Sequence, residues 1–332
     1  MNVRDLGEFG LIERLVGRQS VPSAGELIVG PGDDAAVWRA GDAFVMATTD
    51  TMVAGTHFLP ERVPWRDVGW KALAANVSDI AAMGGTPTFA LVTFCLPPEM
   101  PVAPIDELHE GLLECAAAHG VTIAGGDIVA APVFTITVAL CGEAMRGDDG
   151  QPRLLRRDAA RAGDAIAVTG PLGGSGGGLR ALLEGAAPGP VRDALVRRHM
   201  RPTPRIDAGR AAVDAGVRCG IDISDGLVQD LGHVCRASGV AAELQFESIP
   251  LDTSLIDAFP QDARRIAATA GEDYELLLVA PPDVFARAGA LLGAPLVIVG
   301  SIAEGAPGVR VHDAGGGEVA LDHAGWDHLK PA

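Results

Sequence analysis

Six short acidic motifs carry the chemistry this sequence can do. They are Gly32-Asp33-Asp34-Ala35-Ala36, Thr48-Thr49-Asp50-Thr51, Ser78-Asp79, Gly125-Gly126-Asp127, Asp222-Ile223-Ser224-Asp225-Gly226 and Gly271-Glu272-Asp273. Each sets carboxylates among small or hydroxyl residues at the end of an apolar segment, where backbone can approach a ligand closely. Any one of them also reads as an Asx turn or a helix N-cap. Six in one chain weigh against that plain reading. Four converging carboxylates would raise one another's pKa unless cations held them ionised. Oxygen ligands without a Cys/His cluster select a hard cation, magnesium. Magnesium held by carboxylates and substrate phosphates is the usual equipment of phosphoryl transfer.

Around these motifs lie residues with more than one reading. Asn76 and Asp79 are three residues apart on one face of a helical pattern, so Asp79 is expected to point into a site. Asp222 and Asp225 share that offset but suit a strand–turn–helix junction, whose N–H groups would face phosphate and disfavour a bare cation. Gly173–Gly178 has neither Rossmann nor Walker spacing, and reads equally as a flexible connector or a ligand loop. The only lysines are Lys71 and Lys330, and neither follows a glycine, which removes a P-loop. Lys71 has no Schiff-base motif around it and reads as a solvated or structurally paired helix lysine. His57, after a strand and a glycine, reads as a ligand contact in preference to a core histidine.

Elements that must position these groups follow from periodicity and punctuation. Helices are expected at Leu6–Gly17, Val68–Met83, Ile105–Ala118, Ala194–Met200, Arg205–Ala215 and Leu227–Ala237. Strands are expected at Phe44–Thr49, Phe89–Leu96, Phe134–Leu140, Ala165–Thr169, Ile221–Ile223, Ala241–Phe246, Tyr274–Ala280 and Leu296–Val299. Charged, Gly/Pro-punctuated residues 146–152 separate two halves. The irregular order of strands and helices predicts an α+β fold of two α/β sandwich domains, residues 1–146 and 153–332.

Composition limits the partners. The 332 residues include 43 acidic and 26 basic side chains, a formal net charge of −17. Such a surface is unsuited to nucleic acid or an anionic membrane as the main partner. Hydrophobic residues reach 48% but aromatics only 4%, so the core is aliphatic. Five cysteines with no Cys-x-x-Cys pair fit reduced thiols. The N-terminal residues lack a signal pattern and no 18-residue apolar run occurs, so a cytoplasmic location is expected.

With these residues assembled, the sequence resembles the thiamine-monophosphate kinase family of the aminoimidazole-ribonucleotide-synthetase-like superfamily. The resemblance spans nearly the whole chain and runs through Gly7-Glu8-Phe9, Gly32–Ala36, Thr49-Asp50-Thr51 to His57-Phe58, Lys71–Gly84, Gly125-Gly126-Asp127 and Asp222–Leu227. Gly271-Glu272-Asp273-Tyr274-Glu275-Leu276 and the closing Gly325-Trp326-Asp327-His328 complete it. It implies ATP- and magnesium-dependent conversion of thiamine monophosphate to thiamine diphosphate, the last step of thiamine diphosphate biosynthesis. It also implies a homodimer paired through N-terminal sheets, with the active site between the domains. Carried over by motif, Asp34, Thr48, Thr49, Asp50, Asp79, Asp127, Asp222 and Asp225 would hold several magnesium ions, with Asp50, Asp127 and Asp225 central to catalysis. Gly126, Asp127, Arg157 and Ser224 would meet ATP, and His57, Glu272 and Trp326 would meet thiamine monophosphate. Either of Asp33 and Asp34, and either of Arg156 and Arg157, could fill its role.

Two departures stand out. A family glycine is Ala270 here, harmless if φ is negative, and a family threonine is Ile128, which removes a hydroxyl. The roles suit the chemistry: a phosphate nucleophile needs no strong base, and the obstacle is the charge of two polyanions meeting in line. Arg157 could add a bidentate phosphate contact. Trp326 could stack on the cationic thiazolium ring or simply anchor the tail. Competing readings are another superfamily enzyme working through an acyl- or selenophosphate, and a nucleotide-binding protein without turnover. Selenophosphate chemistry would want an early cysteine, and the first is Cys95.

Overall fold

The computed structural model describes residues 2–18, 26–326 and 329. Helix α1 (Val3–Val16) leads into a first sheet built from β1 (Leu27–Val29), β2 (Ala36–Ala40), β3 (Ala43–Val53), β4 (Thr86–Leu96), β5 (Thr122–Ala130) and β6 (Thr135–Glu143). Its order is β1-β2-β3-β6-β4-β5, with only the β4–β5 pair parallel. Helices α2 (Trp65–Ala82) and α3 (Ala103–His119) contribute to the core against one face of this sheet. They approach closely because Gly69 and Gly111 have no side chain. A Cβ on Gly69 would lie 1.9 Å from the Leu108 carbonyl oxygen, and one on Gly111 would lie 1.7 Å from that of Arg66.

Strand alternation separates two kinds of surface. Phe44, Met46, Ala90, Val92, Ile136, Val138 and Leu140 face the helices and are buried. Residues of opposite parity form an open face: Phe89 and Leu91 are 57% and 54% exposed, and Thr51 and Thr137 join there through a 2.9 Å hydroxyl hydrogen bond.

Residues 146–152, expected to separate the two halves, form the turn and flanks of a two-stranded hairpin, β7 (Met145–Arg146) with β8 (Pro152–Arg153). A second six-stranded sheet follows, from β9 (Ala165–Val168), β10 (Cys219–Asp222), β11 (Ala241–Gln245), β12 (Leu276–Ala280), β13 (Val297–Ala303) and β14 (Gly308–His312). Its order is β10-β12-β9-β13-β11-β14. Both faces are covered, so β9 and β12 are buried throughout. One face packs on α7 (Leu227–Ser238) and α9 (Ala263–Thr269), the other on α6 (Ile206–Ala215) and α10 (Pro282–Leu292). Helix α2 links the two halves, since Ala82 belongs to the core formed by α6 and α10.

The glycine run is a correction. It is neither connector nor ligand loop: Gly174–Leu183 is helix α4, followed by α5 (Pro190–Met200) and, later, the short α8 (Thr253–Ala258). Its glycines serve packing, for a Cβ on Gly178 would come within 2.3 Å of the Leu195 carbonyl oxygen. Asp273 caps it, accepting the Gly173 and Ser175 N–H groups at 2.6 and 3.0 Å. Strand β5 was not expected, because its Gly-Gly-Asp centre and nearly complete exposure hide the alternation of a half-buried strand. Strand β12 starts at Leu276, two residues after the expected Tyr274. Among the described residues the five cysteines are free, and no helix is long and apolar enough to cross a membrane.

Candidate active site

A cavity of about 410 Å³ receives side chains from β3, α2, α4, α5 and the loops after β10 and α9. Asp50, Asp79, Ser224 and Asp225 line it, as do His57, Glu272 and Trp326.

Alternation along β3 turns Thr48 and Asp50 toward α2. There the Thr48 hydroxyl donates to Asp79 Oδ2 at 2.5 Å, and the Asp50 N–H donates to Asn76 Oδ1 at 3.2 Å. On the next turn face Ser78 donates to Asp222 Oδ2 at 2.6 Å, tying α2 to the end of β10. Asp34, Asp79 and Asp222 each bring an oxygen into a group lying within 4.8 Å of one another. Burial and neighbouring carboxylates push Asp222 up to about 8 and hold Asp79 well above the usual range. Burial and Asp34 likewise push Asp33 up to about 7, with Arg157 opposing.

Two oxygens in this cluster, Asp34 Oδ2 and Asp222 Oδ1, are buried with no hydrogen-bond partner. A buried acceptor left unsatisfied costs about 1–3 kcal/mol, more if charged. An all-oxygen donor set with repelling charges and orphaned acceptors fits a hard divalent cation.

The Arg157 guanidinium reaches the cluster, pairing with Asp34 and lying 3.8 Å from Asp33, while the Arg157 backbone N–H donates to Asp33 Oδ2 at 3.2 Å. Arg156 instead pairs with Asp158 at the surface. Asp230, which the sequence did not single out, is fully buried and accepts the N–H groups of Asp225 and Gly226 at 3.1 and 3.0 Å. It fixes the turn that presents Ser224 and Asp225.

The structure does not bring every expected residue to the cluster. Thr49, next to Thr48 on β3, has the opposite orientation, and its hydroxyl donates to the Val138 carbonyl at 3.1 Å. Asp127 pairs in register with Thr93 on exposed β5, on the sheet's open face and outside the cavity lining. Gly126 precedes it on the same strand, and Ile128, at the threonine departure, is 67% exposed. Adjacent strand residues point to opposite faces, so one metal cluster could not use both Thr48 and Thr49 side chains.

At the cavity's other end His57 Nδ1 accepts the Val53 N–H at 3.0 Å, which leaves Nε2 as the nitrogen able to carry a proton. Glu272 and Tyr274 adopt φ of 66° and 53°, unusual for residues with side chains. Ala270, by contrast, has φ −82°, so replacement of the family glycine carries no backbone strain. Glu272 accepts an ion pair from Lys71 Nζ at 2.8 Å. Burial raises the Glu272 pKa, but Lys71 and His199 more than offset this and hold it below the ordinary value. Lys71 is therefore the structurally paired lysine of the two expected alternatives, 1% exposed and not solvated. The Trp326 backbone N–H donates to the Asp225 carbonyl at 3.1 Å, and its own carbonyl accepts from Gln229, so the main chain is anchored at Trp326 while the residue lines the cavity. Asp327, His328 and Lys330 lie outside the described residues.

The chain matches two families, AIR synthase related protein, N-terminal domain, over residues 32–144, and AIR synthase related protein, C-terminal domain, over residues 161–312. It is similar to the thiamine-monophosphate kinase of Escherichia coli K12, 36% identical, with 97% of this chain and 98% of that one covered. The chain belongs to the thiamine-monophosphate kinase family. Among solved structures, AaThiL complexed with AMPPCP and TMP is similar at 32% identity and a TM-score of 0.85, covering 99% of each chain. The thiamine-monophosphate kinase of Stenotrophomonas maltophilia is 36% identical with a TM-score of 0.74, covering 92% of this chain and 96% of that one. The two-domain α+β fold is that of this family.

Proposed function

We propose that this chain is a thiamine-monophosphate kinase, transferring the terminal phosphoryl group of ATP to thiamine monophosphate and releasing thiamine diphosphate and ADP. One observation supports this above the others: a single cavity lined by Asp50, Asp225 and Asp79, the last a member of the cation-seeking carboxylate group, also bears His57, Glu272 and Trp326. The related AaThiL structure contains AMPPCP, an ATP analogue, together with TMP. In the reaction a phosphate oxygen of thiamine monophosphate forms a bond to the γ-phosphorus as the bond to the ADP oxygen breaks. The nucleophile is already an anion, so no side chain has to remove a proton.

The protein's work is therefore positioning and neutralisation. Asp34, Asp79 and Asp222, with Asp50 and Asp225 along the cavity, would hold magnesium, which when bound neutralises phosphate oxygens and aligns both partners. Asp230 keeps the Ser224–Asp225 turn fixed toward the phosphates. Arg157, paired with Asp33 and Asp34 beside the cluster, would offer its guanidinium to a phosphate group bound there. At the other end Glu272 and the Trp326 indole complement a cationic ring.

Domains of residues 1–146 and 153–332 face each other across the cavity, and a homodimer forms by pairing the open faces of two first sheets. In that arrangement Asp127 and Gly126 would serve the partner's nucleotide, which suits their position away from their own cavity. Free thiols and a phosphorylated soluble substrate support action in the cytoplasm. Purified protein with ATP and magnesium should release ADP only when thiamine monophosphate is added. Nucleotide binding without such turnover would refute the kinase reading and favour a silent nucleotide-binding protein.

A further inference from the structure

Lys71 is an exception in its own chain. The sequence uses 24 arginines and two lysines, so arginine is its ordinary cation. Lys71 lies on α2 at 1% exposure, a position from which a charge is excluded unless a partner offsets its desolvation. Its Nζ has two neighbours, Glu272 Oε1 at 2.8 Å and His199 Nε2 at 3.5 Å. An ammonium can only donate, so Nε2 of His199 accepts, and the histidine proton resides on Nδ1. That nitrogen lies 3.4 Å from Glu272 Oε2 and 3.0 Å from the Ser175 hydroxyl. Burial and Lys71 push His199 down to about 3, consistent with a neutral ring.

Glu272 is thus paired with Lys71 of α2 at Oε1, and its Oε2 lies 3.4 Å from His199 Nδ1 on α5, while its own backbone has a φ of 66°. The cost of that conformation has to be met by the surrounding contacts. The side chain remains 29% exposed toward the cavity. A fork-shaped guanidinium would not replace a compact ammonium between a carboxylate and an imidazole in so closed a place.

We infer that Lys71, assisted by His199, is a positioning residue for substrate selection: it fixes the Glu272 carboxylate in the orientation that receives the cationic end of the phosphate acceptor. The inference rests on the proposed kinase reading for the identity of that acceptor. Lys71 does not touch the substrate; it acts through Glu272.

Calorimetric titration of the intact protein with thiamine monophosphate alone, and separately with AMPPCP and magnesium, tests this without turnover. Lys71→Met should weaken thiamine monophosphate binding at least tenfold and leave AMPPCP binding within twofold. Lys71→Arg should not restore it. Adding Lys71→Met to Glu272→Gln should weaken binding no further than Glu272→Gln alone, because the lysine acts only through that carboxylate. This pair remains informative if Lys71→Met by itself does not fold, since no buried charge is left unpaired. Equal weakening for both ligands, unchanged affinity in Lys71→Met, or additive losses in the double variant would each overturn the inference. Wild-type protein that binds thiamine monophosphate in the expected Lys71-dependent way but never turns it over would overturn the kinase reading alone.

Discussion

At the scale of single residues the proposed function divides the cavity's work between carboxylates that would gather cations and an aromatic–acid pair that would suit a cationic ring. Asp50 lines the cavity from β3 while its backbone N–H is held by Asn76. Asp50→Asn keeps the shape and removes charge, so turnover should fall by several orders of magnitude with little change in melting temperature. Near-normal turnover at limiting magnesium would refute the metal role. Trp326 is 44% exposed, and its main chain is tied to Asp225 and Gln229 independently of the indole, so the ring can be removed while those backbone bonds remain. A cation over an indole contributes about 0.5–2 kcal/mol. Trp326→Ala should therefore raise KM for thiamine monophosphate several-fold to about 30-fold, with KM for ATP unchanged and Trp326→Phe recovering part of the loss. An unchanged KM would leave the residue only its anchoring role.

Elements fix these residues by crossing at points where no side chain fits, and by ion pairs at their ends. Gly271 is such a crossing: a Cβ there would lie 2.3 Å from the Ser224 carbonyl oxygen. Gly271→Ala should displace the two loops bearing Ser224, Asp225 and Glu272, lowering both affinity for thiamine monophosphate and melting temperature. Helix α3 offers a pH test, because Glu114 accepts from Arg66 of α2 and from Arg201 at 2.6 Å. These partners hold its carboxyl down at about 2, below the ordinary 4.5. A lowered folded-state pKa gives stability that is present above 4.5 and lost as pH falls toward 2. The melting-temperature gap between wild type and Glu114→Gln should accordingly be constant above pH 5 and shrink through that window. Much of this architecture was legible in the sequence, since α2, β4 and α7 announce themselves by periodicity and by Gly84-Gly85 or Asp225-Gly226 at their ends. What escaped has a physical cause. The glycine run of α4 reads as loop because its purpose is close contact with α5, and exposed β5 carries no buried stripe. Asp230 escaped, and Lys71 could be read only as solvated or paired without its partner, because a buried charge has no local signature; for Lys71 that partner, Glu272, is distant in sequence.

For the whole molecule the open face of the first sheet decides the argument. Phe89 and Leu91 expose 57% and 54% of their surfaces on β4, beside edge strand β5, with Thr51 and Thr137 on the same face. An apolar sheet face and an unpaired edge of this kind call for a partner. A second copy of the chain is the occupant the family resemblance implies. Light scattering at micromolar concentration should give twice the chain mass, and Leu91→Lys should shift it toward one. The position of Asp127 makes a stronger test. It stands on the open-face side, in register with Thr93, whereas Asp50 points to the helix side with Thr48. If each Asp127 serves its partner's nucleotide, Asp127→Asn and Asp50→Asn chains are each inactive alone yet complementary when mixed. After subunit exchange half of the dimers are mixed, and each mixed dimer has one site with both wild-type residues. About a quarter of wild-type activity should return, the proportion expected of a two-fold symmetric dimer with sites shared between subunits. Mixtures that stay inactive after verified exchange would assign Asp127 to its own chain or to no catalytic role, and the dimer would then be an assembly without shared sites.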